Sequence, residues 1–148
     1  MNNQTILTLL KFQLMNKKSV EITVAGSSMN PVLKDGDRIR IEHRDSYAIG
    51  DILVFSYKNQ ELLVHRLLQI KEGKYFCKGD NSMRLEDIAE DQILGVVIVN
   101  EDKNNTNEFV TASLHIAKLF RSCRYDIEKT MEHTDYIEYK HNFLENNI

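Results

Sequence analysis

The sequence has few cysteines and no long hydrophobic run, and both shortages exclude classes of protein. Its two cysteines, Cys77 and Cys123, lie far apart and match no metal-ligand spacing, so neither a structural disulfide nor a zinc site is expected. Reduced thiols in the cytoplasm fit this usage better. The apolar stretch at residues 6–10 is far shorter than the roughly 20 residues that cross a bilayer, and no small-residue cleavage site follows it. We therefore expect a soluble, cytoplasmic protein without a transmembrane segment.

A strong charge of one sign is also absent. The 19 Lys and Arg residues against 22 Asp and Glu give a formal net charge of −3, and no local basic patch stands out. Such a chain has no general attraction to nucleic acid or anionic lipid, so no nucleic-acid partner is expected. The 148 residues, 42% of them hydrophobic and 28% charged, are typical of one globular domain with its own core.

The first 18 residues predict a short amphipathic helix. Ile6, Leu9, Leu10 and Leu14 recur at helical spacing within residues 4–16. Two alternatives stay open for this helix, which either packs on its own domain or makes peripheral contact with a membrane surface. The few basic residues favour packing on the domain.

From Val20 onward the apolar period changes from helical spacing to two. Residues 19–100 predict a β body made of short strands that are separated by turns rich in glycine, asparagine and aspartate. The strands are expected at residues 20–24, 39–41, 52–55, 62–70, 75–77 and 93–99. The run at 52–55 is apolar throughout, as in a strand buried on both faces. No helix-length segment separates the strands, so the pattern favours a mainly β, barrel-like or sandwich body.

Residues 101–148 predict a polar linker followed by helices. The linker is the asparagine-rich stretch 101–108, and helical spacing returns near residues 114–120 and 125–131. These helices either pack on the β body or form a contact surface for a partner, and the first alternative is favoured.

The bend at Gly26, Ser27 and Ser28 is the first candidate site. Glycine has no side chain to block close approach, so a serine here can present its oxygen and neighbouring backbone N–H groups to a substrate. The alternative is an ordinary loop, since such turns are common.

A serine nucleophile needs a base within hydrogen-bond reach. Of the five histidines, only His65 lies inside an otherwise apolar strand, where it is either a satisfied core histidine or a positioned general base. Arg66 points to the opposite face and must reach solvent or a carboxylate. Asp80 follows Gly79 at a strand end, where it either orients an imidazole or caps the turn.

Six short motifs in one order resemble those of the signal peptidase superfamily, the S24/S26-type serine peptidases. This superfamily includes type I signal peptidases and, more distantly, the self-cleaving phage and SOS repressors. The motifs are Gly26-Ser27-Ser28-Met29-Asn30-Pro31, Gly36-Asp37, Gly50-Asp51-Ile52-Leu53-Val54-Phe55, Val64-His65-Arg66-Leu67, Lys78-Gly79-Asp80-Asn81 and Gly95-Val96-Val97. They span about residues 20–99, the whole predicted β body.

The resemblance implies a role for each matching residue. The serine before methionine, Ser28 rather than Ser27, corresponds to the nucleophile, and His65 stands where bacterial enzymes carry lysine and the archaeal and endoplasmic-reticulum type carries histidine. Asp80 corresponds to the aspartate of the Gly-Asp-Asn motif, a third member that orients the imidazole. A further acidic position falls on Glu86 or Asp87, and the alignment leaves both open.

The implied function is that of a serine endopeptidase that needs no cofactor or metal. Its substrate would be a peptide or preprotein, in a soluble short form that processes leader or signal peptides. The sequence departs from signal peptidases in lacking a transmembrane anchor and from the repressors in lacking a preceding DNA-binding domain. The alternative is a non-catalytic module that binds peptides at a β edge.

Overall fold

The protein is mainly β, with one helix before the sheet and several helices after it. The computed structural model describes residues 3–16 and 18–145. The strands are β1 (Val20–Thr23), β2 (Arg38–Glu42), β3 (Ile52–Tyr57), β4 (Glu61–Lys71), β5 (Lys74–Lys78), β6 (Glu86–Ala89) and β7 (Ile93–Ile98). The α-helices are α1 (Asn3–Met15), α2 (Asn107–Ser122), α3 (Ile127–Glu132) and α4 (Thr134–Tyr139), and a π-helical turn follows at Lys140–Glu145. The predicted mainly β class with terminal helices is confirmed.

The seven strands of the described ranges form one curled antiparallel sheet in the order β1-β2-β7-β3-β4-β5-β6. The last strand in the chain therefore lies in the interior of the sheet, where Val97 pairs with Ile41 of β2 and Gly95 pairs with Val54 of β3. A Cβ at Gly95 would lie 2.7 Å from the Glu42 carbonyl oxygen. Glycine therefore permits the close approach of β7 to β2.

The strand β3 is buried on both faces, as the apolar run predicts. Ile52 and Val54 belong to one core cluster, and Leu53 and Phe55 belong to the cluster on the opposite face. The first cluster also takes in the buried side of α1, so α1 packs on its own domain. Its buried residues are Leu7, Leu10 and Leu14. Ile6 and Leu9, which share the predicted helical spacing, are instead 44% and 49% exposed, because the buried stripe is formed by Leu7, Leu10 and Leu14.

The helices after the sheet form a third cluster around Phe109, Ile116, Tyr136 and Tyr139. The helix α2 begins at Asn107, inside the stretch expected to be linker. The reason is an N-cap at Thr106, whose side chain accepts a hydrogen bond from the Phe109 N–H at 3.1 Å. None of the helices in the described ranges has both the length and the apolar character needed to cross a membrane.

Candidate active site

Ser28 lies in the turn between β1 and β2 and is half-buried. The turn is held from both ends. On one side, Gly26 has a φ of 86° and its N–H donates a hydrogen bond to Asp35 Oδ1 at 2.7 Å. On the other side, the side chain of Met29 is almost fully buried. The Ser28 carbonyl oxygen accepts a hydrogen bond from the Asn81 N–H at 2.8 Å. These contacts limit how the serine side chain is presented.

His65 on β4 meets this serine. Its Nε2 atom is 3.1 Å from Ser28 Oγ, within the range for proton transfer between a nucleophile and its base. The imidazole is 7% exposed and its ring packs edge-on against Phe55, with ring centroids 6.2 Å apart. The sequence left a core histidine and a positioned base as alternatives, and the structure brings the ring to the serine.

Glu86 on β6 occupies the other side of the imidazole. Its Oε1 atom lies 2.6 Å from His65 Nδ1, and the side chain is 5% exposed. With Glu86 accepting the Nδ1 proton, Nε2 carries the lone pair that faces Ser28. The three side chains thus form a continuous hydrogen-bonded chain from hydroxyl through imidazole to carboxylate. Pairing of Glu86 with Cys77 across β5 and β6 sets its place in the sheet.

The expectation that Asp80 orients the imidazole requires a correction. Both carboxylate oxygens of Asp80 accept hydrogen bonds from Arg66, from Nε and Nη2 at 2.9 Å each, and Asp80 is fully buried. It makes no hydrogen bond to His65 among the described residues. The reason is that the buried guanidinium of Arg66 binds both oxygens of this carboxylate. Asp87, the other acidic alternative, lies on an exposed face of β6 and pairs with Lys74 at 3.3 Å.

Arg66 organises a buried polar cluster behind the site. The sequence left solvent and a carboxylate as alternatives for it, and in the structure it binds carboxylates. Besides Asp80, its guanidinium donates to the Gly50 carbonyl at 2.7 Å and to both oxygens of Asp102 at 2.8 and 2.9 Å. All five N–H donors are therefore used. Burial lowers the pKa of Arg66, but the bonds and charges of Asp80 and Asp102 outweigh it and raise the pKa above its ordinary value.

Gly79 lies against Ser28 and His65, and the side chain of Lys78 bonds to the carbonyl of Gly79. A Cβ at Gly79 would lie 2.6 Å from the Ser28 carbonyl oxygen and 3.1 Å from His65 Nε2, so only glycine fits. Lys78 is fully buried and its Nζ donates to the Gly79 carbonyl at 2.9 Å. Burial lowers the pKa of Lys78 to about 8.

Sequence reasoning missed Asp102 and Tyr139, which the structure brings to this region, and left Glu86 undecided. Glu86 was one of two open candidates, and the structure separates them, because Glu86 shares the buried face of β6 with Ile88 and Asp87 does not. Asp102 and Tyr139 lie in or beyond the expected linker, where no local pattern indicates a contact with the sheet. Within the described ranges, no group of three or more His, Cys, Asp and Glu side chains is suited to hold a metal ion.

Comparisons with known proteins identify the family of the chain. A search among curated proteins finds no significant match. The family model described as Peptidase S24-like matches residues 5–98, well over half of the 148-residue chain, and that segment contains Ser28, His65 and Glu86. The resemblance to the S24/S26-type superfamily is confirmed at that level. The chain therefore belongs to the Peptidase S24-like family.

Proposed function

We propose that this protein is a serine endopeptidase that cleaves a peptide bond in a peptide or preprotein substrate. Ser28 is the nucleophile, His65 the general base and Glu86 the residue that orients the imidazole. The observation that carries the proposal is the chain of two short contacts, Ser28 Oγ to His65 Nε2 at 3.1 Å and His65 Nδ1 to Glu86 Oε1 at 2.6 Å. A Ser-His site is also what the resemblance to archaeal and endoplasmic-reticulum-type signal peptidases implies.

The proposed reaction is acyl transfer in two halves. His65 Nε2 takes the Ser28 proton while Oγ attacks the scissile carbonyl, and the resulting imidazolium then gives that proton to the leaving amine. Water then attacks the acyl carbon while His65 takes one of its protons. The bond from the acyl carbon to Ser28 Oγ breaks, His65 returns the proton to Oγ, and the product leaves as a carboxylic acid. The charge on His65 in the intermediate is stabilised by Glu86.

The oxyanion of the tetrahedral intermediate needs donors aimed at it before the reaction begins. Gly26, two positions before the nucleophile, offers no hydroxyl. In the described part of the chain, the Ser28 N–H donates to no other backbone group, which leaves it available to the oxyanion. The proposal therefore assigns this role to main-chain N–H groups.

The substrate side of the proposal is the processing of leader or signal peptides in the cytoplasm. Both cysteines are free thiols, as is usual for proteins in a reducing compartment. Burial raises the pKa of Cys77 above its ordinary value, so the thiol stays protonated. Because the thiolate is the reactive form, Cys77 does not compete with Ser28 as a nucleophile.

The test is cleavage of a diverse peptide pool, read by mass spectrometry, together with labelling by a fluorophosphonate probe. Ser28→Ala should lose both, with cleavage reduced by at least ~10³-fold, and its thermal melt should stay close to that of the wild type. The matched control is Ser27→Ala, an exposed neighbour whose backbone oxygen, not its hydroxyl, accepts from Asn81. The control should keep cleavage and labelling. Equal cleavage by wild type and Ser28→Ala contradicts the proposal.

The second candidate is a non-catalytic peptide-binding module on the same fold. The family includes members without catalytic activity, and the strands β1 and β6 are both sheet edges that an extended peptide can join. This function would be favoured over the peptidase by three results together. Wild type and Ser28→Ala would both capture peptides, neither would cleave them, and the probe would not label Ser28.

A further inference from the structure

The C-terminal helices lie outside the family match, which ends at residue 98, yet one of their side chains reaches the candidate site. The hydroxyl of Tyr139, the last residue of α4, donates to the Asp80 carbonyl oxygen at 2.6 Å, and Tyr139 is 3% exposed. We propose that Tyr139 is a positioning residue of the peptidase, which acts on the nucleophile through the turn at residues 79–82. This inference rests on the proposed function.

The link from Tyr139 to the serine passes through a single peptide group. The Asp80 carbonyl that accepts from Tyr139 and the Asn81 N–H that donates to the Ser28 carbonyl at 2.8 Å belong to the same planar peptide unit. In a trans peptide these two groups point in opposite directions. The unit is therefore held on one edge by the helices and on the other by the backbone of the nucleophile.

Further contacts make the 79–82 turn rigid on the side of the serine. The side chain of Asn81 donates to the Ser27 carbonyl at 3.1 Å, and the Asp80 N–H approaches Met29 Sδ at 3.4 Å. Because the turn contacts both neighbours of Ser28, a displacement of its peptide groups moves the serine relative to His65. In the part of the chain that the structure describes, the Tyr139 bond is the direct hydrogen bond between α4 and this turn.

Tyr139 is itself held in one place by its surroundings. Its ring stacks on Phe109 with centroids 5.8 Å apart and contacts Phe143 at 5.8 Å, while the Nζ of Lys78 lies 5.2 Å from its centroid. Burial raises the pKa of the Tyr139 phenol, so the hydroxyl keeps its proton and remains a donor. A fixed ring with one strong bond is suited to positioning.

The first variant is Tyr139→Phe, which removes the hydroxyl and keeps the ring. A misplacement of about 1 Å in a reacting group can lower a rate ~10²-fold. We expect the maximal rate of fluorophosphonate labelling at Ser28 to fall ~10- to 100-fold, while the half-saturating probe concentration changes less than about threefold. Amide hydrogen exchange at Asn81 should become faster, because this N–H reports directly on the bond to Ser28.

The matched control is Tyr136→Phe, which removes a hydroxyl from another buried tyrosine of α4. Among the described residues, Tyr139 and not Tyr136 bonds to the turn. It should leave both the labelling rate and the exchange at Asn81 as in the wild type. A purely structural role for Tyr139 predicts a lower melting temperature with an unchanged maximal labelling rate, and that result would overturn the inference.

Two further outcomes separate the inference from the proposed function. Absence of label at Ser28 in the wild-type protein counts against the peptidase itself, and equal labelling of wild type and Tyr139→Phe counts against the positioning role alone. If Tyr139→Phe does not fold, Phe143→Leu serves in its place, because it loosens the packing on the tyrosine ring and retains the hydroxyl. It should lower the labelling rate in the same direction, and an unchanged rate overturns the inference.

Discussion

At the scale of single residues, the partner of His65 distinguishes this site from the one that the motifs imply. Glu86 and Asp80 are both buried acids within one stretch of chain, but only Glu86 reaches Nδ1 of the imidazole. Asp80 is held by the guanidinium of Arg66. A carboxylate at Nδ1 selects the tautomer and stabilises the imidazolium, whereas the ion pair of Asp80 stabilises the scaffold.

Glu86→Gln tests this assignment. The amide can also donate to Nδ1, so part of the imidazole would adopt the tautomer whose Nε2 bears the proton and cannot accept from Ser28. We expect kcat for a peptide found in the pool to fall by ~10²- to 10⁴-fold, with KM little changed. Asp87→Asn, on the exposed face of the same strand, is the control and should retain activity. An active Glu86→Gln variant would remove Glu86 from the mechanism.

The sequence was sufficient for the pairing of Ser28 with His65, because each lies in a motif whose order is specific. It was not sufficient for the third member. The choice between Asp80 and Glu86 depends on Arg66, which binds Asp80 and is bonded also to Asp102, far along the chain. A contact that spans 36 positions has no local signature in the sequence.

At the scale of elements, the segment 101–106 joins the sheet to the helices. Asp102 binds both terminal nitrogens of Arg66, and Thr106 then caps α2. The segment was expected to be a polar linker, yet its Asp102 is a partner of the buried Arg66 cation. It therefore belongs to the polar core behind the site.

Asp102→Asn should destabilise the protein by about 2 kcal/mol, because the buried guanidinium loses one of its two negative partners while an amide donor faces its N–H groups. Urea denaturation measures this change in the free energy of unfolding. The exposed neighbour offers a control, Glu101→Gln, which should stay within about 0.5 kcal/mol of the wild type. A loss of equal size in both variants would mean that the pairing with Arg66 contributes little.

Most strands were predictable from alternation, but β6 was not. It has four residues, and its first two are acidic, so neither length nor hydrophobicity marks it as a strand. Its position depends on pairing with β5, in which Cys77 faces Glu86. Long-range pairing of this kind overrides weak local propensity.

At the scale of the whole molecule, the region behind the site concentrates charge in the interior. Arg66, Lys78 and Asp80 are fully buried and Glu86 is nearly so. Arg66 is neutralised by bidentate partners, whereas Lys78 takes part in no ion pair among the described residues, and its hydrogen bonds go to Gly79 and Tyr139. A buried ammonium without a paired carboxylate destabilises the folded state as long as it is charged.

The pH dependence of stability should show this effect. The folded pKa of Lys78 is lowered to about 8 from 10.5 in the unfolded chain, so between these values the unfolded state binds more protons and stability rises with pH. Below pH 8 the destabilisation is fully present. From pH 7 to 9.5 the wild type should gain about 2 kcal/mol relative to Lys78→Met, which cannot titrate at this position.

Chemical denaturation of both proteins across that range measures the difference. Lys74→Met is an exposed change on the same strand. Its free energy of unfolding should show the same dependence on pH as that of the wild type. A constant difference between wild type and Lys78→Met would show that the lysine keeps an ordinary pKa in the folded protein.

The interior position of β7 also bears on how the chain is made. Before β7 is synthesised, the sheet consists of two separate parts. One part is β1 and β2, the other is β3 to β6, and each exposes the strand edge that β7 will cover. At about 5–20 residues per second, synthesis reaches β7 only several seconds after β2. During that interval the two edges can pair with other chains. A nascent chain is therefore most prone to aggregate just before β7 joins the two parts of the sheet. A chaperone that covers strand edges would act during this interval.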